Sequence, residues 1–444
     1  MASRRVVISG LGPISGLGVG MAPTWQAMVE GSSAISRIDS FDPAGFDCQI
    51  AAQLRDFKVS QVVPKHYRKA VKVMARDIEL AVGAADAAAR DAGLVTKGTT
   101  EDAAAALSYE SGRMGAHIGA GLIAVDLNEL TEALVESVDE NGKFDLHKWG
   151  AEGMTRLTPL WLLKYLPNML ACHVTIIHDA QGPSNTITCG EASSGLSIGE
   201  SLRVIQRNAA DLCFCGGTES KLNPMAFLRQ VLTGRLVAGF NDQPTKAVKA
   251  FDQAAAGTVI GEGGGILILE SLDTYKARTD KPAYAELVGF GASQSIHPAS
   301  RNAQPDPQGK GIAQAINKAI KEAGITPDQV DLVVPFGTGV PAIDQAEAAA
   351  LSSVFGDSLS RIAVVSSKAM AGNTGAGTGA LDACVAAKAL AEQTIPARLN
   401  CDNPLPGINA GTAAATKADL RYAVTYSMSL GGQNAAMVLK RYEG

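Results

Sequence analysis

At 444 residues, with 46% hydrophobic and 19% charged residues, the chain is long enough to bury one large core or two fused ones, and its composition excludes long disordered stretches. A formal net charge of −5 gives no basic footprint for nucleic acid. Seven cysteines, at 48, 172, 189, 213, 215, 384 and 401, form no C-x-x-C pair and read as buried thiols of a reducing cytoplasm, and no apolar run reaches the ~18 residues of a membrane span.

In chain order, short apolar strands alternate with alanine-rich helices, the pattern of an α/β protein with buried, largely parallel sheets. Residues 6–9 (Val-Val-Ile-Ser) open as a strand. Arg4-Arg5 and the apolar run to Val19 imitate a secretory signal, but glycines interrupt the run and no A-x-A site follows, so strand and loop are expected. A helix over 78–93 ends at its glycine, 113–119 is a strand, and the strand 185–188 feeds a small-residue helix running from Ala192 to about Arg207. Strands at 212–219 and 265–270 close this first series.

The second series repeats the order. Residues 284–291 form a strand, 309–324 a helix, 330–335 a strand and 341–355 a helix; 361–367 leads into the helix 380–393, and strands at 422–428 and 435–440 finish the chain. Two successive mixed halves point to an internal duplication, divided as 1–272 and 273–444. Between about 123 and 158 the rhythm breaks. A charged, helix-like stretch over 126–140 is followed by Asn141-Gly142-Lys143, an insertion that reads as a solvated surface helix or as an inter-subunit arm.

Several motifs invite nucleotide or hydrolase chemistry and fail on spacing. Gly10, Gly12, Gly16, Gly18 and Gly20 miss the G-x-G-x-x-G fingerprint, because the third glycine's place holds Ser15, so a tight-turn role is expected. The glycine-rich run 372–379 lacks the Gly-Lys-Ser/Thr of a phosphate loop. Ser193 has Glu191 where a nucleophile elbow needs glycine. The six histidines, 66, 117, 147, 173, 178 and 297, show no metal-ligand spacing, and neither metal nor cofactor is expected.

One set of motifs does cohere. Gly182-Pro183-Ser184 through Ile198-Gly199, preceded by Pro167-Asn168-Met169-Leu170-Ala171 and followed by Cys215-Gly216-Gly217-Thr218-Glu219, resembles the nucleophile segment of the β-ketoacyl-acyl carrier protein synthases. The resemblance runs through the opening 7–12, Phe251-Asp252 and Gly261-Glu262-Gly263, then Gly337-Thr338, Pro341, Asp344 and Glu347, then 366–372, and ends at 430–434. It implies the thiolase fold: two similar halves stacked in α-β-α-β-α layers, usually paired as a dimer.

Active members of that family place a cysteine at the start of the helix after this strand, where the helix dipole and backbone N–H groups stabilise a thiolate. Here the position falls on Glu191, and Cys189 is two residues early, on the strand. The family's two histidines, which donate to the thioester oxygen and the enolate, correspond to Phe336 and Asn373; Lys368 alone remains of the four groups. The two phenylalanines of the C-terminal glycine loop become Met428 and Leu430. Loss of a single oxyanion donor typically costs ~10²–10³ in rate, so loss of nucleophile and both histidines should abolish ordinary condensation.

The resemblance is closest in character to the family's degraded twins, the chain-length factors. These pair with an active synthase, shape the tunnel for the acyl or polyketide chain, and commonly carry glutamine where the cysteine belongs. Glu191 would then be a filler and a cap for orphan N–H groups. The rival reading is an active acyltransferase, thioesterase or decarboxylase using Glu191 or Cys189. The expected partners are an acyl carrier protein and an active synthase, or a second copy of the chain. Lys65, Arg68, Lys69, Lys72 and Arg76, with Arg203 and Arg207, are the candidate docking cations, or simply a solvated face.

Overall fold

The computed structural model describes residues 4–102, 104–296 and 304–444; His297 lies outside them. Ten strands form the body of one sheet. The first half supplies β1 (Val6–Ser15), β2 (Met114–Ala120), β3 (Ser184–Ile187), β4 (Leu212–Glu219) and β5 (Gly263–Ser271). The second half supplies β6 (Ala285–Gln294), β7 (Leu332–Val334), β8 (Ala363–Val364), β9 (Tyr422–Met428) and β10 (Gln433–Arg441). Their order across the sheet is β8-β7-β9-β10-β6-β1-β5-β4-β2-β3, with Gly18–Val19 hairpinned onto β1.

That order makes the duplication visible. Counted within its own half, each set of five runs third, second, fourth, fifth, first, and the two sets meet where β1 pairs antiparallel with β6 through Val7↔Glu286 and Ile8↔Ala285. Parallel pairing is confined to β2 with β3 and β4, and to β7 with β8 and β9. The expectation of a largely parallel sheet is therefore corrected to a mixed one. In the second half the reason is plain: β9 and β10 are joined by only four residues, too few for the crossover that a parallel pair needs.

Helices complete the layers. The first half has α1 (Arg76–Asp91), α2 (Met169–His178) and α3 (Ser193–Gln206); the second has α4 (Lys310–Ala323), α5 (Pro341–Phe355) and α6 (Thr378–Glu392). α3 and α6 touch each other and strands of both halves, whereas α1 and α2 cover the first half's outer face and α4 and α5 the second's. The alternation along strands fits this sandwich. Cys213, Cys215, Leu267 and Leu269 face the central layer with Leu332 and Val334, while Phe214, Ile266 and Ile268 face α1 and α2. Strands buried on both faces are apolar at most positions, which is why they read as near-continuous runs.

Small residues set the close spacing. Buried Ser197 on α3 returns its hydroxyl to the Ser193 carbonyl at 2.9 Å, so a polar residue fits the central layer without an orphaned donor. At Gly12 a Cβ would stand 2.1 Å from the Ala84 carbonyl oxygen of α1. Gly10 and Gly12 thus lie inside a ten-residue strand and admit a helix against it, which corrects the turn reading for these two; the tight turn falls at Gly16, where Ser15 pairs with Gly18.

The insertion is more articulated than one charged helix. Asp126 caps a helix over Leu127–Glu136 by accepting from the Asn128 N–H at 2.9 Å, a Val138–Phe144 bridge follows, and a second short helix spans Leu146–Ala151. Val135 and Leu146 are 68% and 71% exposed, and Phe144 is also exposed, so this is no merely polar, solvated face. The sheet ends beside β3, whose Ser184 and Asn185 are exposed. No helix among the described residues is long and apolar enough to cross a membrane.

Candidate active site

The three parallel strands of the first half end together, and the residues just beyond them line one pocket of about 470 Å³. β2 delivers Gly121 and Leu122, β3 delivers Gly190 and Glu191, and β4 delivers Glu219 and Lys221. Carboxyl ends of parallel strands are the usual place for a ligand crevice in α/β sheets. Close approach fixes one glycine, because a Cβ on Gly121 would stand 1.8 Å from Glu219 Oε1. The second half closes the pocket with Leu430, while the Ala376 N–H donates to Glu219 Oε2 at 2.7 Å.

Glu191 is 7% exposed, and a carboxylate so buried requires a cation. Arg235 supplies it, with Nη1 2.9 Å from Glu191 Oε1. Burial works against the charged form, but Arg235 and then Lys221 outweigh it, holding the carboxyl below its ordinary range. Lys221 pairs in turn with Glu219 at 2.5 Å. Two cations and two carboxylates therefore face this pocket. Behind them, Asp77 is buried and accepts from the Ser220 N–H at 3.2 Å; burial and the nearby Glu219 charge push its pKa up to about 7.

The expectation that Glu191 caps a helix is corrected. α3 begins at Ser193 after an Ala192 cap residue with no side-chain cap bond, and the carboxylate turns to Arg235. A guanidinium offers a stronger partner than a helix-end amide. Cys189 also moves: it sits past the end of β3, its N–H donates to Ser193 Oγ at 2.8 Å, and it does not line the pocket.

The other expected site residues gather in the second half, again beyond the ends of its parallel strands. Phe336 follows β7, and Lys368 opens a one-turn helix after β8, with its ammonium 5.8 Å from the Phe336 ring centroid. Lys368 is completely buried and ion-paired with Asp382, and its Nζ also donates to the Pro335 carbonyl at 3.4 Å. Ser367 Oγ donates to the second Asp382 oxygen at 2.6 Å. Two further buried carboxylates hold the loop after Phe336: Glu347 accepts from the Gly337 N–H, and Asp344 from the Thr338 and Gly339 N–H groups. Burial raises Glu347 above the usual carboxylate range, helped by the adjacent Asp344 charge. Asn373 is buried and its Oδ1 accepts from the Gly375 N–H at 3.0 Å, which leaves only its amide hydrogens for other work.

Met428 and Leu430 part company. Met428 lines a separate cavity of about 220 Å³ beside Gln294 and Ile312, whereas Leu430 borders both that cavity and the Glu191 pocket. Of the candidate site residues named from the sequence, only Glu191 and Leu430 line the larger pocket; Pro167 and Glu219, quoted there as motif residues, line it too. Its most consequential member, Arg235, was missed. The sequence held one signal, since a carboxylate at a buried turn demands a partner, but nothing local selects a cation 44 positions away.

The basic residues do not make one patch. Arg76 turns inward to Glu262 at 3.0 Å, Arg203 pairs with Glu322 on α4, Arg207 approaches Glu200 at 3.5 Å, and Lys65 pairs with exposed Glu101 at 3.2 Å. Arg68, Lys69 and Lys72 remain exposed on the 3-10 turn Lys65–Val73. Three histidines pack internally, with Nδ1 of His117, His173 and His178 bonded to Ser201, Tyr67 and Thr96. No metal-holding cluster occurs among the described residues.

Chemically, the pocket holds a buried carboxylate, paired with a guanidinium, at the residue that the sequence spacing singled out. In the second half, Phe336 has no polar hydrogen to donate, Asn373 keeps only its amide hydrogens, and Lys368 is sealed in its own ion pair. The layered fold and this strand-end site define a thiolase-fold protein. Family models sharpen that to Beta-ketoacyl synthase, with the N-terminal domain matching residues 3–275 and the C-terminal domain residues 284–402. The chain belongs to the β-ketoacyl synthase family. It is 31% identical over 444 residues to a 3-oxoacyl-[acyl-carrier-protein] synthase 2 of Coxiella burnetii (99% of each chain), and 30% identical over 447 residues to the same-named protein of Synechocystis sp. (100% and 99%). Among solved structures it resembles the ishigamide ketosynthase/chain length factor, with a TM-score of 0.82 at 26% identity over 99% of this chain and 100% of that one.

Proposed function

We propose that this chain is a non-condensing, chain-length-factor-type partner of an active β-ketoacyl-ACP synthase in a fatty-acid or polyketide pathway. The Glu191–Arg235 ion pair carries the reading. A carboxylate is a poor acyl acceptor, because its product would be a mixed anhydride lying uphill of the thioester. One already committed to a guanidinium is poorer still. Phe336 and Asn373 at the expected histidine positions, and Lys368 locked to Asp382, further support it, since none of them offers the imidazole donors that condensation uses.

The partner surface in this reading combines the exposed edge of β3 with the apolar side chains of the insertion, which acts as an inter-subunit arm. The exposed Arg68 and Lys69 meet an acidic acyl carrier protein. The pair works in the cytoplasm, needs no metal or cofactor, and keeps 1–272 and 273–444 as its two halves.

Co-expression with a Cys-His-His synthase tests this directly. The two chains should co-purify, and intact-mass measurement should find acyl groups on the synthase alone. A stable acyl adduct on this chain would sink the reading. A second reading, altered chemistry at Glu191 or Cys189, is favoured by one observation: the Glu191 carboxylate faces an open pocket. Glu191→Gln and Cys189→Ala, made separately, test it. Turnover unchanged in both removes it.

A further inference from the structure

Glu191 is not the only buried carboxyl that meets a cavity. At the end of β4, Glu219 and Lys221 line the Glu191 pocket, whereas Ser220 and Leu222 line a second cavity of about 890 Å³. The first turn of α1 and the start of the insertion close its other sides. Asp77, on that turn, lines the cavity and is 3% exposed. Its Oδ1 accepts from the Ser220 N–H at 3.2 Å; apart from its own N–H, the carboxyl has no other partner among the described residues. Every cation near it is already taken. Arg76 gives its nitrogens to Glu262, Glu79 and the carbonyls of Leu54 and Phe57, Lys164 pairs with Glu129, and Lys221 pairs with Glu219. Glu262, the other buried acid on this wall, thus has its cation, and Asp77 has none.

We infer that Asp77 anchors a binding site for a small organic ammonium ion, whose nitrogen pairs with the open carboxylate oxygen while its apolar body lies along Leu54, Met74 and Ile123 of the same cavity. The inference is independent of the role proposed above. Packing gives no reason for an acid here, because asparagine would accept the same Ser220 bond and bring no charge to desolvate. The helix dipole favours an acid in the first turn of α1 but falls short of offsetting burial, which with the Glu219 charge pushes the carboxyl up to about 7. A buried carboxylate is stable only with a cation beside it, and a cation that the chain withholds can come from solution. A neutral ligand of the same shape would leave Asp77 unpaired, and an anion would meet Asp77 and Glu262 with no free cation to receive it.

Titration of the full chain with 2-phenylethylamine in a calorimeter should show saturable binding, with a Kd of about 1 mM or tighter for a ligand of this size. 2-Phenylethanol, the same body without the charge, should bind about tenfold more weakly or worse, the scale of a lost hydrogen bond to a charged group. Asp77→Asn keeps an acceptor for the Ser220 N–H, so the thermal melt should not fall, yet the amine should lose the same factor of about ten. The groups that set the charge of Asp77 are Glu219 and Lys221 at the end of β4 and its chain neighbour Arg76, held by Glu262 and Glu79. Because the amine needs the ionised carboxyl, its affinity for the native chain should also drop about tenfold from pH 8 to pH 6. Absence of saturable amine binding overturns the inference. So does equal binding of the alcohol, or a folded Asp77→Asn chain that binds the amine as the native one does. If that variant does not fold, the pH series decides, and an affinity that is flat over this range overturns the site.

Discussion

Two clusters of buried charge, one in each half, differ in what they face. Around Asp382, the charges of Lys368, Asp344 and Glu347 are sealed: Lys368 pairs with Asp382, Ser367 donates to Asp382, and backbone N–H groups of Phe251 and the 337–339 loop donate to Asp344 and Glu347. Around Glu191, the charges of Arg235, Glu219 and Lys221 border a pocket open to a ligand. A sealed cluster can only hold the fold in place. One that lines a pocket meets whatever enters, so there a substitution changes function before it changes stability.

The largest expected effect tests the sealed cluster. Lys368→Met strands Asp382 in the core and should cost about 3–5 kcal/mol in urea unfolding, with much of the loss recovered when Asp382 is made Leu as well. A loss below about 1 kcal/mol would mean that the cluster is wetter than its burial indicates.

Next comes a pH dependence set by Asp77. Its folded pKa, about 7 against 3.8 ordinarily, favours the protonated form, so the stability it contributes is full below about 3.8 and drains away as pH rises through 7. The total fall reaches about 4 kcal/mol, because each pH step between those two values removes about 1.4 kcal/mol. Asp77→Asn should flatten urea midpoints between pH 4 and 7. Glu191 runs the other way: its lowered pKa gives stability above the ordinary carboxylate range that is lost as pH falls through the folded value.

Arg235→Met is expected to cost less than the lysine change, up to about 3 kcal/mol, because the pocket admits water to the stranded Glu191. A cost equal to that of Lys368→Met would erase the distinction between the clusters. Smallest in stability, within about 0.5 kcal/mol, are Arg68→Glu and Lys69→Glu on the exposed turn; they should weaken binding to an acyl carrier protein in a titration, and unaltered affinity removes them as docking residues.

The fold was legible because both faces of each half-sheet are covered. Such strands cannot hide among polar neighbours, and the repeated order of elements follows from reading them in sequence. Glu191 drew notice for a different reason: the unbroken spacing from Gly182 to Gly199 singles it out, and the structure places it in a pocket beyond the strand ends. What escaped was pairing across distance. Arg235 reaches Glu191 from a separate excursion, and Arg76, read as a surface cation, turns inward to Glu262. Charge type shows in a sequence, whereas the direction of a long side chain is settled only by the packed chain around it.

The pairing of β1 has a consequence for how the molecule is made. Val6 is registered with Ser271 and Ser15 with Gly263, and all ten residues of the strand are buried. During synthesis its principal antiparallel neighbour does not exist until well over half the chain has left the ribosome, β6 comes later still, and only the two residues Gly18–Val19 pair with it early. A ten-residue apolar segment waiting that long is an aggregation hazard, and such long-range closure is intrinsically slow. Yield in the cell should therefore depend on what shelters residues 6–15 before residue 263 arrives, well before any partner chain can matter.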